Sequence, residues 1–202
     1  MKIYHVKGTR SIRVIWLCHE LNLPLAIETI PNFDATFKAS PEWRAKSPTG
    51  KVPVLEDGAI TMFESGAMVE YILGRYGPAG LVPSDPNDLA LYYQWCWFAE
   101  ATFARPLGDI VHNTVIKPPA ERIAAVVPDA KQRARACLDG IDRCVENQPY
   151  LLGDLFSAAD IMMGYSLMLA ERTGVLTADH PNSQRYFGLL SERDGFKAAR
   201  EA

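Results

Sequence analysis

Two short stretches place ligand-holding residue types at useful spacings. The first is Ser47-Pro48-Thr49-Gly50-Lys51-Val52-Pro53-Val54-Leu55. Pro53 falls just inside a strand-like run, where it has no N–H to give to a ladder. It is either an edge-strand proline or the site of a cis Val52–Pro53 bond, which would turn the Val52 backbone outward to pair with an extended peptide. The second stretch is Phe63-Glu64-Ser65, where an apolar run ends and a helical pattern begins. A helix N-terminus offers N–H groups and a positive dipole end to a carboxylate, and the Ser65 hydroxyl adds a donor. Glu64 beside it suits an ammonium, so the pair matches an amino-acid head group carrying both charges. Plain helix capping by Ser65 is the alternative. The cysteines (Cys18, Cys96, Cys137, Cys144) contain no Cys-x-x-Cys pair and form no metal-ligand cluster with the four histidines. They read as free buried thiols in a reducing cytoplasm, with no metal expected.

These residues need elements to position them. Lys2 to Val6 reads as a strand, and from Ser11 the apolar Val14, Leu17, Cys18 and Leu21 fall on one helical face. Leu25 to Ile30 returns to strand character, which makes a right-handed β-α-β unit with a parallel pair. A short helix is expected around Pro41 to Arg44. Lys51 to Glu56 and Ala59 to Phe63 then flank Asp57-Gly58, a strong hairpin signal. Ser65 to Tyr76 closes the series as a helix. The order β-α-β-α-β-β-α is that of a thioredoxin-like α/β domain, expected over residues 1–77.

Residues 78–88 lie in a stretch dense in Pro and Gly and read as a linker. Over 89–202 no strand pairs stand out, and helices are expected at 89–102, 120–147, 158–173 and 183–191, an all-α domain. Ser157 and Asp160 have capping-box spacing before a helix that is apolar on all sides, the mark of a domain centre. The 202 residues, 48% hydrophobic, suffice for two small domains. A net charge of −3 gives no footprint for nucleic acid or an anionic membrane. No secretory leader and no apolar run of about 18 residues is visible, so a soluble cytoplasmic protein with small-molecule partners is expected.

The run Ser-Pro-x-Gly-Lys-Val-Pro-x-Leu followed by Glu-Ser at a helix start resembles the glutathione transferase superfamily. Gly8-Thr9-Arg10-Ser11-x-Arg13-Val14-x-Trp16-Leu17 is similar to the first loop and helix of that family, and Leu151 to Ile161 to its C-terminal folding motif. The resemblance implies a homodimer with glutathione as co-substrate and no metal. It also implies an electrophile pocket between the domains and a detoxifying conjugation of small apolar electrophiles. By position, Val52 would pair with the cysteine of glutathione and Pro53 would be the cis proline. Glu64 and Ser65 would hold the γ-glutamyl group; Lys51 and Lys38 would meet the glycine carboxylate or else be surface lysines.

The family activates the thiol with a Tyr, Ser or Cys near the first loop. Here the resemblance leaves Thr9 and Ser11 as hydroxyl donors and Arg10 as an electrostatic helper, with Tyr4 of the first strand as a further option. The loop lacks a cysteine and the Ser-Ser-Cys signature of isomerase members, which disfavours thiol–disulfide exchange and isomerisation. Tyr93, Trp97 and Arg105, on the aromatic-rich helix after the linker, are the candidates for the electrophile side. A glutathione-dependent peroxidase or isomerase, and a transferase-like binding module without catalysis, stand as alternatives.

Overall fold

A four-stranded sheet of order β2-β1-β3-β4 is the frame on which the candidate residues are placed. β1 (Lys2–His5) and β2 (Ala26–Thr29) are parallel and joined through α1 (Ser11–Glu20). β3 (Val54–Asp57) runs antiparallel to β1 and to β4 (Ile60–Phe63). The hairpin pairs Asp57 with Ile60, so its loop is Gly58-Ala59, with Gly58 at φ 60°. Glycine first in a two-residue loop is what a type II′ connection requires. Between β2 and β3 stand two short helices, α2 (Ala35–Ala39) and α3 (Pro41–Lys46), where one was expected. Asp34 and Ser40 cap them by accepting from Phe37 and Trp43 N–H groups, so each turn has its own start signal. α4 (Ser65–Tyr76) follows β4.

The computed structural model describes residues 1–202 and divides them into Met1–Ala79 with Arg193–Ala202, and Gly80–Glu192. The first unit is the thioredoxin-like one. Its sheet alternates: Tyr4 packs with Ile30, Trp43 and Val54 on one face, whereas residues of opposite parity, such as His5, point to the other.

The last helix, α10 (Asp194–Glu201), belongs to this unit, although the sequence reading counts residues 193–202 with the helical domain. Phe196 packs on Trp16 with ring centroids 4.8 Å apart. Arg193 grips Glu20 with two bonds of 2.8 and 2.7 Å. Gly195 permits the contact: a Cβ there would lie 2.6 Å from Trp16 Cδ1. With α10 on its outer side, α1 is buried from Ser11 through Cys18.

The second unit is helical. α5 (Pro86–Trp97) and α6 (Ala104–Val111) are joined by a π-helical stretch, Phe98–Phe103. Pro106 has no N–H to return to Thr102, which breaks the regular bonding pattern just where the register changes. α7 (Val126–Cys144) starts six residues later than the expected 120, because residues 119–121 form a 3₁₀ turn and the Ile123 N–H is held by Asn113 Oδ1 at 3.0 Å. α8 (Ala158–Arg172) is buried almost all round, and α9 (Pro181–Ser191) follows it. The expected capping box is present: the Asp160 carboxylate accepts from Ser157 N–H (2.8 Å), Leu151 N–H (3.0 Å) and Tyr186 O–H (2.7 Å). Burial pushes the Asp160 pKa up against these donors, which tie α8, α9 and the segment at Leu151 together. No helix is long and apolar enough to cross a membrane.

Candidate functional site

The register gathers the candidates of the first unit at one end of the sheet. Tyr4 lies opposite Val54, and Val54 opposite Phe63. The C-terminal ends of β1 and β4 and the N-terminal end of β3 therefore share one edge of three neighbouring strands, about 4.8 Å apart each. Val52-Pro53 enters there, Glu64-Ser65 leaves there, and the loop from Val6 to Arg10 leaves from β1. Ligands of open α/β sheets bind at such strand ends.

The Val52–Pro53 bond is cis. None of the chain's backbone hydrogen bonds uses the Val52 N–H or C=O, whereas its neighbour Lys51 is held on both sides. Ser47, fully buried, donates to Lys51 O at 2.8 Å and accepts from Lys51 N–H at 2.9 Å. Gly50 closes the turn at φ 68°, and a Cβ there would meet Lys38 O at 2.8 Å. The Arg44 guanidinium donates to Pro48 O at 2.6 Å. The loop thus presents the Val52 backbone from a rigid base. Lys51 is exposed; Lys38 is half-buried with its Nζ 4.6 Å from the centre of the Phe33 ring.

Glu64 has φ 75°, a conformation that costs a non-glycine residue about 1–2 kcal/mol. Its side chain is exposed and makes no capping bond, so the strained backbone serves to aim it. Ser65 is 2% exposed and is not the helix cap. Its Oγ accepts from Arg13 Nη1 at 3.1 Å, which leaves the Ser65 O–H free to donate. The first N–H groups of α4 point the same way. Arg13 is fully buried and lies in the first turn of α1, so the starts of α1 and α4 meet at this bond. The sequence marks Arg13 only as part of the resemblance to a family motif; its partner is visible only in three dimensions.

The loop candidates are placed differently from one another. Thr9 is half-buried; its hydroxyl donates to Val6 O at 2.7 Å and lies 2.8 Å from Ser11 Oγ. Ser11 is fully buried, with its Oγ 2.6 Å from His5 Nδ1. Arg10 is half-buried and sits directly before the first turn of α1. Tyr4 faces the other side of the sheet, where its O–H lies 3.2 Å from both Glu56 oxygens and 2.8 Å from Lys2 Nζ, and Lys46 also pairs with Glu56. It cannot reach the loop. His5, which sequence reasoning did not single out, carries a signal only in hindsight: it has the same strand parity as Ile3, the inward face.

In the second unit Tyr93 and Trp97 lie one turn apart on α5 and are exposed, Trp97 by 68%. Tyr93 rests edge-on against Tyr92. Arg105, on α6, is 3.6 Å from Asp109. The cysteine thiols do not join the site; burial pushes Cys18 up to about 12.

Comparison with known proteins bears on the family and the fold. Residues 4–80 match the family described as glutathione S-transferase, N-terminal domain, and residues 124–189 its C-terminal domain. Glutathione S-transferase 3 of Schizosaccharomyces pombe is 28% identical over 211 residues, covering 98% of this chain and 86% of its own length. Glutathione S-transferase 4 of Zea mays is 33% identical over 164 residues, covering 79% of this chain and 74% of its own. Among solved structures, the theta class glutathione S-transferase of Xanthomonas axonopodis pv. citri with glutathione bound superimposes with a TM-score of 0.84 at 27% identity, covering 100% of this chain and 97% of that one.

Proposed function

Because this chain belongs to the glutathione S-transferase family, we propose that the sheet end formed by Val52, Glu64, Ser65 and Thr9 binds glutathione and activates its thiol. The chain is a glutathione transferase, and its reaction is the conjugation of glutathione to small apolar electrophiles. The observation that carries this reading is the convergence at one edge of three features. These are an unused peptide-pairing backbone at Val52, a carboxylate-binding helix start at Ser65, and a hydroxyl at Thr9.

Glutathione lies extended, with its cysteine backbone on Val52 and its γ-glutamyl carboxylate on the Ser65 hydroxyl and the first N–H groups of α4. The γ-glutamyl ammonium faces Glu64, and the glycine carboxylate faces Lys51 and Lys38. Its thiol, with an ordinary pKa near that of free cysteine, about 8.5, loses its proton to water. The Thr9 hydroxyl and the positive start of α1 hold the thiolate, with Arg10 adding charge. The sulfur lone pair forms the new C–S bond, and on an aryl halide the carbon–halogen electron pair leaves as halide. Tyr93, Trp97 and Arg105 are assigned to the electrophile by the resemblance, and the exposure of the two aromatics supports that assignment.

The test is an initial-rate assay with glutathione and an activated aryl halide. The reading predicts saturation in glutathione and a rate well above the buffer reaction. A protein that binds glutathione but leaves the buffer rate unchanged is a binding module instead.

A further inference from the structure

We propose that buried His5 is a positioning residue for the thiol, acting through a one-way chain of hydrogen bonds, His5 to Ser11 to Thr9, that makes Thr9 a stronger donor. The proposal rests on the glutathione-activating role of Thr9 given above, and adds a residue from the strand beneath the loop.

The chain is continuous and short. His5 Nδ1 is 2.6 Å from Ser11 Oγ, Ser11 Oγ is 2.8 Å from Thr9 Oγ1, and Thr9 Oγ1 is 2.7 Å from Val6 O. Val6 O can only accept, so the Thr9 proton points to it. The Thr9 oxygen must then accept, so the Ser11 proton points to Thr9. The Ser11 oxygen is left as acceptor for a proton on His5 Nδ1. One arrangement of protons satisfies all three bonds, and it needs a proton on His5 Nδ1, which in a neutral ring is the Nδ1–H tautomer.

The surroundings keep His5 neutral. It is fully buried, and burial is the largest influence on its pKa, which is lowered. The Lys7 cation on the adjoining loop lowers it further, and the backbone of Ala202 opposes both. Ser11 of α1 and the backbone of Ala202, just past the end of α10, meet the ring.

When glutathione occupies the site, Thr9 turns its proton from Val6 O to the sulfur. It can do so without losing its other bond, since the bond from Ser11 enters through a lone pair. Hydrogen bonds aligned in one direction polarise one another, so a donor at the far end strengthens the near one. No proton moves along the chain: His5 gives a hydrogen bond and keeps its proton, and the thiol proton goes to water. The buried Ser11, whose sequence position suggested a direct role, is the middle of the chain. A phenylalanine or leucine would fill the place of His5 in a purely structural core, and the 2.6 Å bond to Ser11 is what distinguishes it.

The experiment follows the ultraviolet absorbance of bound thiolate across pH in the wild type, His5→Leu, His5→Asn and Ser11→Ala. The Asn side-chain amide stands near the place of Nδ1–H. The proposal expects His5→Leu and Ser11→Ala to raise the bound-thiol pKa by about one unit, roughly tenfold less thiolate at neutral pH, with the glutathione Kd held. Asn should restore most of the shift. kcat should fall in parallel while KM for glutathione stays. A wild type whose bound thiol is acidified, with both Leu and Ala variants titrating like it, overturns the relay alone. So does an Asn variant no better than Leu. A wild-type thiol no more acidic than free glutathione overturns the transferase reading, and the relay with it. Circular dichroism checks the fold of each variant; if His5→Leu does not fold, Ser11→Ala and His5→Asn decide.

Discussion

Replacing Ser65 by Ala isolates the amino-acid end of the proposed site. The Ser65 oxygen already accepts from Arg13 at 3.1 Å, so its own proton is available for one strong bond to a carboxylate. A hydrogen bond to a charged group contributes about 1.5–3 kcal/mol. At about 1.36 kcal/mol per decade, Ser65→Ala should weaken glutathione binding by roughly 10- to 150-fold. The γ-glutamyl carboxylate lies far from the reacting sulfur, so the bond is as strong in the ground state as in the transition state. The loss should therefore appear in KM, with kcat at saturating glutathione within about twofold of wild type. Calorimetric titration gives Kd, and a conjugation assay gives kcat and KM. The variant also loses the bond from buried Arg13, so it should be less stable by about 1–3 kcal/mol, with a melting temperature lower by about 2–4 °C per kcal/mol. An unchanged Kd would place the carboxylate elsewhere. A fall in kcat with Kd kept would mean that Ser65 acts on the reacting sulfur, against the geometry argued here.

Glu64→Gly should separate stability from binding: relief of the positive φ stabilises by about 1 kcal/mol, a rise of about 2–4 °C in thermal melting, while glutathione binding weakens through loss of the ammonium partner. A variant that melts lower would remove the argument for strain at this position. Gly50→Ala should do the reverse, since a Cβ 2.8 Å from Lys38 O in a φ 68° backbone destabilises by about 1–3 kcal/mol and loosens the loop beneath Val52. Urea melts and glutathione titration should report both losses together.

Glu20→Gln tests the anchor of α10. Burial raises the Glu20 pKa, but the bonds from Arg193 and Trp16 outweigh it, so the folded value lies below the ordinary 4.5. A lowered carboxyl pKa gives stability that is present above 4.5 and lost as pH falls through the folded value. The variant should be less stable by about 1–3 kcal/mol at pH 7, with the gap to wild type closing below about pH 4.5. A gap that persists unchanged to pH 3 would contradict the ion pair.

Features written in contiguous residues were legible before the structure. The hairpin at Gly58, the cis proline at 53, the Glu64-Ser65 helix start and the Ser157–Asp160 box each depend on neighbours within a few positions. What escaped depends on distant partners. α10 was not among the expected helices, and its Gly195 is what the contact with Trp16 requires. Ser11 looked like an available hydroxyl because nothing in the loop shows that α1 is covered from outside and that His5 lies beneath it. Arg13 stands in the sequence only as part of a motif, and its partner Ser65 lies 52 residues away. The start of α7 was misjudged because Asn113, in another element, holds Ile123 out of the helix.

A crystal structure with glutathione bound tests the central claim most directly. The claim predicts the γ-glutamyl carboxylate within about 3 Å of Ser65 Oγ, the cysteine backbone paired with both polar groups of Val52, and the sulfur within hydrogen-bonding reach of Thr9 Oγ1. A glutathione seated away from this sheet end, or one seated there with its sulfur turned from Thr9, would contradict it.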